Sequence, residues 1–470
     1  VGTAESDRVL LSEQVGEDSL VFEFATQAES LLVEVEGTRD GEVVAFGRVR
    51  VDAAVSEPQT VLIVEPGSVA WFPLLADGVW GGGLVAAGDG VFLLFGGFEG
   101  DRNSAAESYR SLGLEGVIDL PEFSEVGELP EYTDESGQAR RDRGLLSATR
   151  LSVAGEDQGD VLVAGGCPVA PFGESSRGQG ASFDVSRLDV ENGSWATLDA
   201  RTALDAATCA LMATENAVGD VVLVGGLSES RGVVLLPTAV QTYERTGREV
   251  TVASGELGGV VDLATSSLGA DGVLACGGWN VTGAYVTQAE ATDACFTVSL
   301  AGVVEASGPL PRPRAGMAMV SLGDGRVLAA GGAEPDGSGE PVPARDEIWI
   351  RDEAGNWSPL GTLAVARTGH GIAALPDGTV LLAGGTQSMV PFAYPEDPLS
   401  CVEIVDPTSG NTASLGDCDA SDDSAGLVQR SGRPMVAVDP DWGVLIVGGL
   451  SGSGVATSGV QLYVPPRDAR

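Results

Sequence analysis

Seven short apolar runs along this chain end in a Gly-Gly pair: VFLLFGG from Val91, VLVAGG from Val161, VVLVGG from Val221, VLACGG from Val273, VLAAGG from Val327, VLLAGG from Val380 and VLIVGG from Val444. Such a recurrence marks a repeat protein, each run reading as an inner strand of its unit. The first glycines of the pairs lie 69, 60, 52, 54, 53 and 64 residues apart. That period suits propeller blades better than helical solenoids.

In the clearest repeats an Arg-x-Gly turn leads an apolar segment, a second turn follows, and the Gly-Gly run comes next. Arg314 to Val320 precedes the turn at Gly323, Asp324 and Gly325, and Arg367 to Ala373 precedes Pro376, Asp377 and Gly378. A third strand, such as Val402 to Pro407, and a fourth carrying Trp195 or Trp357 complete units of four strands. Four strands per repeat make a blade, so the chain is expected to be all-β with seven blades. After Gly449 only one more strand remains, at 460–465, so the last blade lacks its outer strand. Residues 69–75 repeat the Trp-x-Pro-Leu of 357–360 and are expected to supply it, closing the wheel and leaving no unpaired edge.

Upstream, apolar and polar residues alternate at 19–24, 31–36, 42–51 and 60–64. This predicts a small β-sandwich-like domain over 18–67, preceded by a flexible leader at 1–17 and followed by the propeller over 68–470. The region from Gly113 to Arg143 is expected to be a long acidic surface insertion.

The Gly-Gly after the second strand, the Arg-x-Gly-His at 367–370 and the tryptophan of the fourth strand resemble the kelch repeat. The resemblance covers roughly 68–465 and is most specific from Arg314 to Asp417. It implies a propeller like the central domain of galactose oxidase, and the leader, β domain and wheel together resemble exported or lipid-anchored bacterial proteins. The copper radical oxidases of that kind need two histidines and two tyrosines for their metal. Only His370 exists here, at a position the repeat uses for packing, so the resemblance is to the propeller without the copper site. The same count disfavours zinc hydrolysis and histidine acid–base catalysis.

Charge narrows the partners. There are 26 basic residues, all arginine, against 68 acidic ones, a formal charge of −42. Such a field repels phosphate backbones, and no basic stripe offsets it, so nucleic-acid binding is set aside. Lysine Schiff-base chemistry is excluded outright. No apolar stretch approaches the length of a membrane span.

The scarce positive charge recurs where first strands begin. Arg143, Arg314, Arg367 and Arg430 stand just before a glycine, and Arg201 lies a little upstream of its own strand. On one face of a wheel these guanidinium groups would either grip a carboxylate-bearing ligand or tie neighbouring blades together. The acidic stretch with Asp417, Asp419, Asp422 and Asp423 is a weak calcium candidate whose spacing is not that of an EF-hand; no other cofactor is indicated. Asn192, Asn280 and Asn356 head glycosylation sequons.

Six cysteines with no CxxC pair point to disulfides and an oxidising compartment. On the drawn blades Cys401 pairs with Cys418, Cys276 with Cys295, and Cys167 with Cys209 between blades. The expected function is a secreted, periplasmic or cell-surface binding or assembly module for a protein or carbohydrate ligand. The alternatives are an exported carbohydrate-active isomerase or lyase using arginine and carboxylates, and a self-assembling array subunit.

Overall fold

The computed structural model describes residues 30–39, 42–52, 61–100, 105–115, 120–134, 137–155, 157–170, 180–196, 204, 207–230, 233–281, 289–390, 397–416, 418 and 431–467. Seven four-stranded antiparallel sheets lie at 83–128, 147–196, 212–256, 264–307, 318–362, 371–415 and 435–464, the last completed by Ser68–Trp71. These are blades 1 to 7 of a β-propeller. Their innermost strands touch in sequence order, and blade 7 returns to blade 1. Ser68 to Trp71 pairs antiparallel with Val464 to Gln461 as the outer strand of blade 7.

The Gly-Gly runs are the second strands. Val161–Ala164, Val221–Val224, Val273–Cys276, Val327–Ala330 and Val380–Ala383 are buried at every position, because both faces meet neighbouring blades. Inner strands such as Ala264–Ser267 alternate instead between buried and partly exposed positions.

The Gly-Gly pair has a specific task. Gly385 donates its N–H to the Ser431 carbonyl of the next blade at 2.9 Å, and Gly278 donates to Arg314 at 2.8 Å. The same link occurs seven times, from Gly97, Gly166, Gly226, Gly278, Gly332, Gly385 and Gly449. The preceding glycine must have no side chain: a Cβ on Gly277 or Gly384 would lie 2.5 Å from the accepting carbonyl oxygen, at φ of 68° and 58°.

The carbonyls that accept these bonds set the true register between blades. They belong to Val79, Arg143, Thr208, Val260, Arg314, Arg367 and Ser431. The expected equivalence of Arg430 with the other arginines is therefore corrected, because Ser431 holds that position in blade 7.

At the N-terminal side, Ser30–Arg39 and Glu42–Asp52 form a hairpin, and Phe46 exchanges backbone hydrogen bonds with Val64 at 2.9 and 2.8 Å. Within the described residues this part has no core of its own. Val43, Phe46 and Val64 join Phe92, Leu112 and Trp442 in one cluster at the seam of blades 1 and 7. Arg48 pairs there with Asp441 at 2.6 Å and Glu115 at 3.3 Å. A two-stranded hairpin buries too little apolar surface to stand alone, which accounts for the docking. The expected strand at 19–24 and the leader at 1–17 lie outside the described residues.

The expected acidic insertion is partly structural. Ser124–Glu128 is the outer strand of blade 1, and Tyr132–Thr133 pairs with Ala139–Arg140 in a hairpin beyond it. Its carboxylates misled the reading because an outer blade strand needs only one apolar face.

Candidate functional site

Strand direction places the loops after the Gly-Gly pairs, and the connections between blades, on one face. All three disulfides lie there: Cys167–Cys209 joins blades 2 and 3, Cys276–Cys295 links paired strands of blade 4, and Cys401–Cys418 ties blade 6. Their Cα separations are 5.4, 4.1 and 4.8 Å, within reach of a bridge.

At the axis of this face each blade contributes one residue in the left-handed region. They are Gly81, Leu145, Ala210, Asp262, Gly316, Gly369 and Arg433, with φ between 50° and 64°. All seven are partly exposed, whereas the residue before each is buried, so these positions rim the axial opening. Backbone bonds link them around the ring: Leu145 to Gly81, Ala210 to Leu145, Gly316 to Asp262, Gly369 to Gly316 and Arg433 to Gly369. Among the described residues no bond joins Asp262 to Ala210 or Gly81 to Arg433, so the ring is two arcs with two gaps. With about 4.8 Å between hydrogen-bonded neighbours, seven positions enclose a ring roughly 11 Å across.

Two of the seven are charged, and they meet across the ring. Arg433 holds Asp262 bidentately, with both N–O distances 2.8 Å, and Trp279 Nε1 donates to the same carboxylate at 3.1 Å. The Arg433 side chain passes over Gly369, where a Cβ would lie 3.2 Å from its Cγ. Burial pushes the Asp262 carboxyl up, but the Arg433 charge and the hydrogen bonds from Arg433 and Trp279 prevail and hold it below its ordinary value. Asp262 attraction raises Arg433 in turn. The pair is not sealed away: the side chains are 15% and 34% exposed.

The arginines expected from the sequence sit beneath this rim. Arg143, Arg314 and Arg367 are fully buried. Arg367 is bound by the buried Glu403 carboxylate and donates to the Gly384 carbonyl at 2.8 Å. Arg314 is bound by Glu334 and by Glu347, the latter at 2.8 Å, with its guanidinium 4.7 Å from the Trp349 ring centre. Arg143 is less well served. It donates to the Pro130 carbonyl at 3.0 Å, stands 3.6 Å from Asp184, and leaves Nε and Nη1 without partners. Arg201 and Arg430 lie outside the described residues, as do Asp417, Asp419, Asp422 and Asp423 of the calcium candidate.

Around Arg143 the electrostatics differ from the axis. Burial pushes the carboxyls of Asp184 and Asp142 up, against the lowering effect of Arg143 and Arg140 respectively. Tyr132, beneath the Arg143 guanidinium, is raised by burial and by Asp142. On the opposite face a polar cleft of about 430 Å³ opens beside Asp160, Arg187 and Arg248. Arg187 is tied there to Asp157 at 3.0 Å.

The sequence reading passed over Arg433 and Asp262. One signal was present: Arg433 follows Ser431 and Gly432 as Gly316 follows Arg314 and Ala315, so alignment on the accepting carbonyls, rather than on arginines, brings it to the axis.

No protein-family model and no curated protein sequence matches this chain. Among solved structures, it is similar to a fungal alcohol oxidase of the AA5 family in complex with copper. The TM-score is 0.56 at 14% identity, over 85% of this chain and 76% of that one. It is also similar to the structure of YjhT, with TM-score 0.49 and 13% identity, over 73% of this chain and 99% of that one. The fold defines a seven-bladed β-propeller, and the likeness to the oxidase structure is a likeness of fold.

His370 is buried beside Arg367, with both ring nitrogens unpartnered, and burial first and Arg367 second bring its pKa down to about 3. Cys401, Glu403 and Cys418 form a close buried group, but the sulfurs are joined in a disulfide and Glu403 binds Arg367.

Proposed function

We propose that this chain is an extracellular binding module, secreted, periplasmic or surface-held on a bacterial cell, that presents the loop-bearing face of its propeller to a ligand. The observation that carries this reading is the Asp262–Arg433 pair. Backbone bonds already hold the arc from Asp262 to Arg433, and a half-buried ion pair is weak evidence for stability, since desolvation offsets the attraction. Two partly exposed, oppositely charged groups aimed across the axis are suited instead to recognition. The three disulfides stiffen the same face and fit an oxidising compartment.

The test is to screen the full chain against glycan and peptide arrays, then map hits by hydrogen exchange. Protection of the inter-blade connections around Asp262, Gly316, Gly369 and Arg433 is expected. Protection confined to the opposite turns, such as 323–325 and 376–378, would overturn the assignment.

A second reading is favoured by one observation, the raised carboxyls of Asp184 and Asp142 beside Arg143 and Tyr132. Carboxyls that hold protons more tightly than usual are the groups a carbohydrate-active isomerase or lyase would use. Turnover of a sugar panel that is lost in Asp184→Asn would establish it.

A further inference from the structure

We infer that the axial opening binds a small zwitterion of the α-amino-acid type, its carboxylate on the free N–H groups of Arg433 and its ammonium shared by Asp262 and the Ala210 carbonyl. This rests on the loop-bearing face being the binding face and names the ligand class of that face.

Charge comes first. Arg433 and Asp262 neutralise each other, and the whole chain carries −42, so a simple anion gains little at the axis and is repelled by the surroundings. A ligand with both charges can satisfy both partners without leaving either charge uncompensated. Bidentate pairing with Asp262 uses one hydrogen on each terminal nitrogen of Arg433, leaving the second hydrogen of each, and Nε–H, to donate. The carboxylate of Asp262 likewise keeps lone pairs beyond those taken by Arg433 and Trp279.

The broken ring supplies the rest. At five of the seven positions the rim amide bonds the carbonyl of the preceding blade, whereas at one of the two gaps the Ala210 carbonyl and the Asp262 amide have no backbone bond between them. That leaves the Ala210 carbonyl without a backbone partner on the rim position next to Asp262, and an ammonium needs several acceptors together. On the adjoining arc, Leu145 and Ala210 are partly exposed and apolar, a surface for an aliphatic side chain. Size sets the limit: a ring roughly 11 Å across between Cα atoms admits one amino acid and not a folded partner.

The test is calorimetric titration of the full chain with leucine, glycine, N-acetylleucine and leucinamide. Leucine is expected to bind, glycine more weakly, and the blocked compounds at least tenfold more weakly than leucine, because each lacks one charge. Arg433→Gln and Asp262→Asn should each weaken leucine at least tenfold. Should either variant fail to fold, Ala210→Leu gives an independent arm: Leu145 shows that leucine is accommodated at such a φ, and the larger side chain should block leucine while the ion pair remains. No leucine binding, equal binding of the blocked compounds, or indifference to Ala210→Leu would each overturn the inference. Array hits mapped to the loop-bearing face would leave the binding-module reading standing in that case.

Discussion

Ala70 lies opposite Leu462 in blade 7, so the first strand of the wheel and its last belong to one sheet. Leu462 is fully buried, in the cluster that also holds Phe46, Phe92 and Trp442. Closure and the docking of the N-terminal hairpin therefore draw on the same apolar seam.

Truncating that seam should loosen both together. Leu462→Ala is expected to cost ~2–5 kcal/mol, as for other buried leucines. Amides of 68–71, 460–464 and 42–49 should gain hydrogen exchange in concert, while those of blades 3 and 4 stay protected. Exchange measured by mass spectrometry checks this, and uniform loss of protection in all blades would contradict it.

The buried arginines should differ in stability. Arg367→Ala strands the buried Glu403 carboxylate and is expected to cost ~3–5 kcal/mol. Arg143→Ala should cost less, because Asp184 is 37% exposed and hydrates once its partner is gone. Replacing Arg367 and Glu403 together by methionine should recover most of the loss. Thermal melting of the four proteins reads the order directly.

Acid should act through His370. Its folded pKa of about 3 lies well below the ordinary 6.5, so the folded protein keeps it neutral where the unfolded chain protonates it. Its contribution is intact above the unfolded pKa and is lost as pH falls, by ~1.4 kcal/mol per unit until the folded value is reached. His370→Leu should leave stability at neutral pH nearly unchanged, since neither nitrogen has a partner, and flatten this part of the acid limb. Denaturant midpoints from pH 7 to pH 4 would show it.

Among the disulfides, the bridge between blades 2 and 3 should matter most. It closes 42 residues, against 19 and 17 for the other two. In the chain-entropy account each contributes ~2–4 kcal/mol, and the longer loop adds ~0.7 kcal/mol over the next. Paired cysteine-to-alanine variants, compared by melting without reductant, should rank Cys167–Cys209 first.

The blades were legible in the sequence because the cause is local and repeated. A strand buried on both faces must be apolar throughout, and a strand end that abuts the next blade's carbonyl must be glycine, so the second strands announce themselves as Val-rich runs before Gly-Gly. The cysteine pairs followed once blades were drawn, since disulfide reach is short and blade geometry places each cysteine. The axis was different. Asp262 and Arg433 are separated by 171 residues, stand in motifs that do not match, and become partners only because the wheel carries blades 4 and 7 to nearly opposite sides of one ring. The arginines that the motif did highlight went the other way: tertiary packing buried Arg143, Arg314 and Arg367 between blades. Local pattern encodes what each blade needs for its own burial, whereas the charge that remains at the mouth depends on how seven blades close.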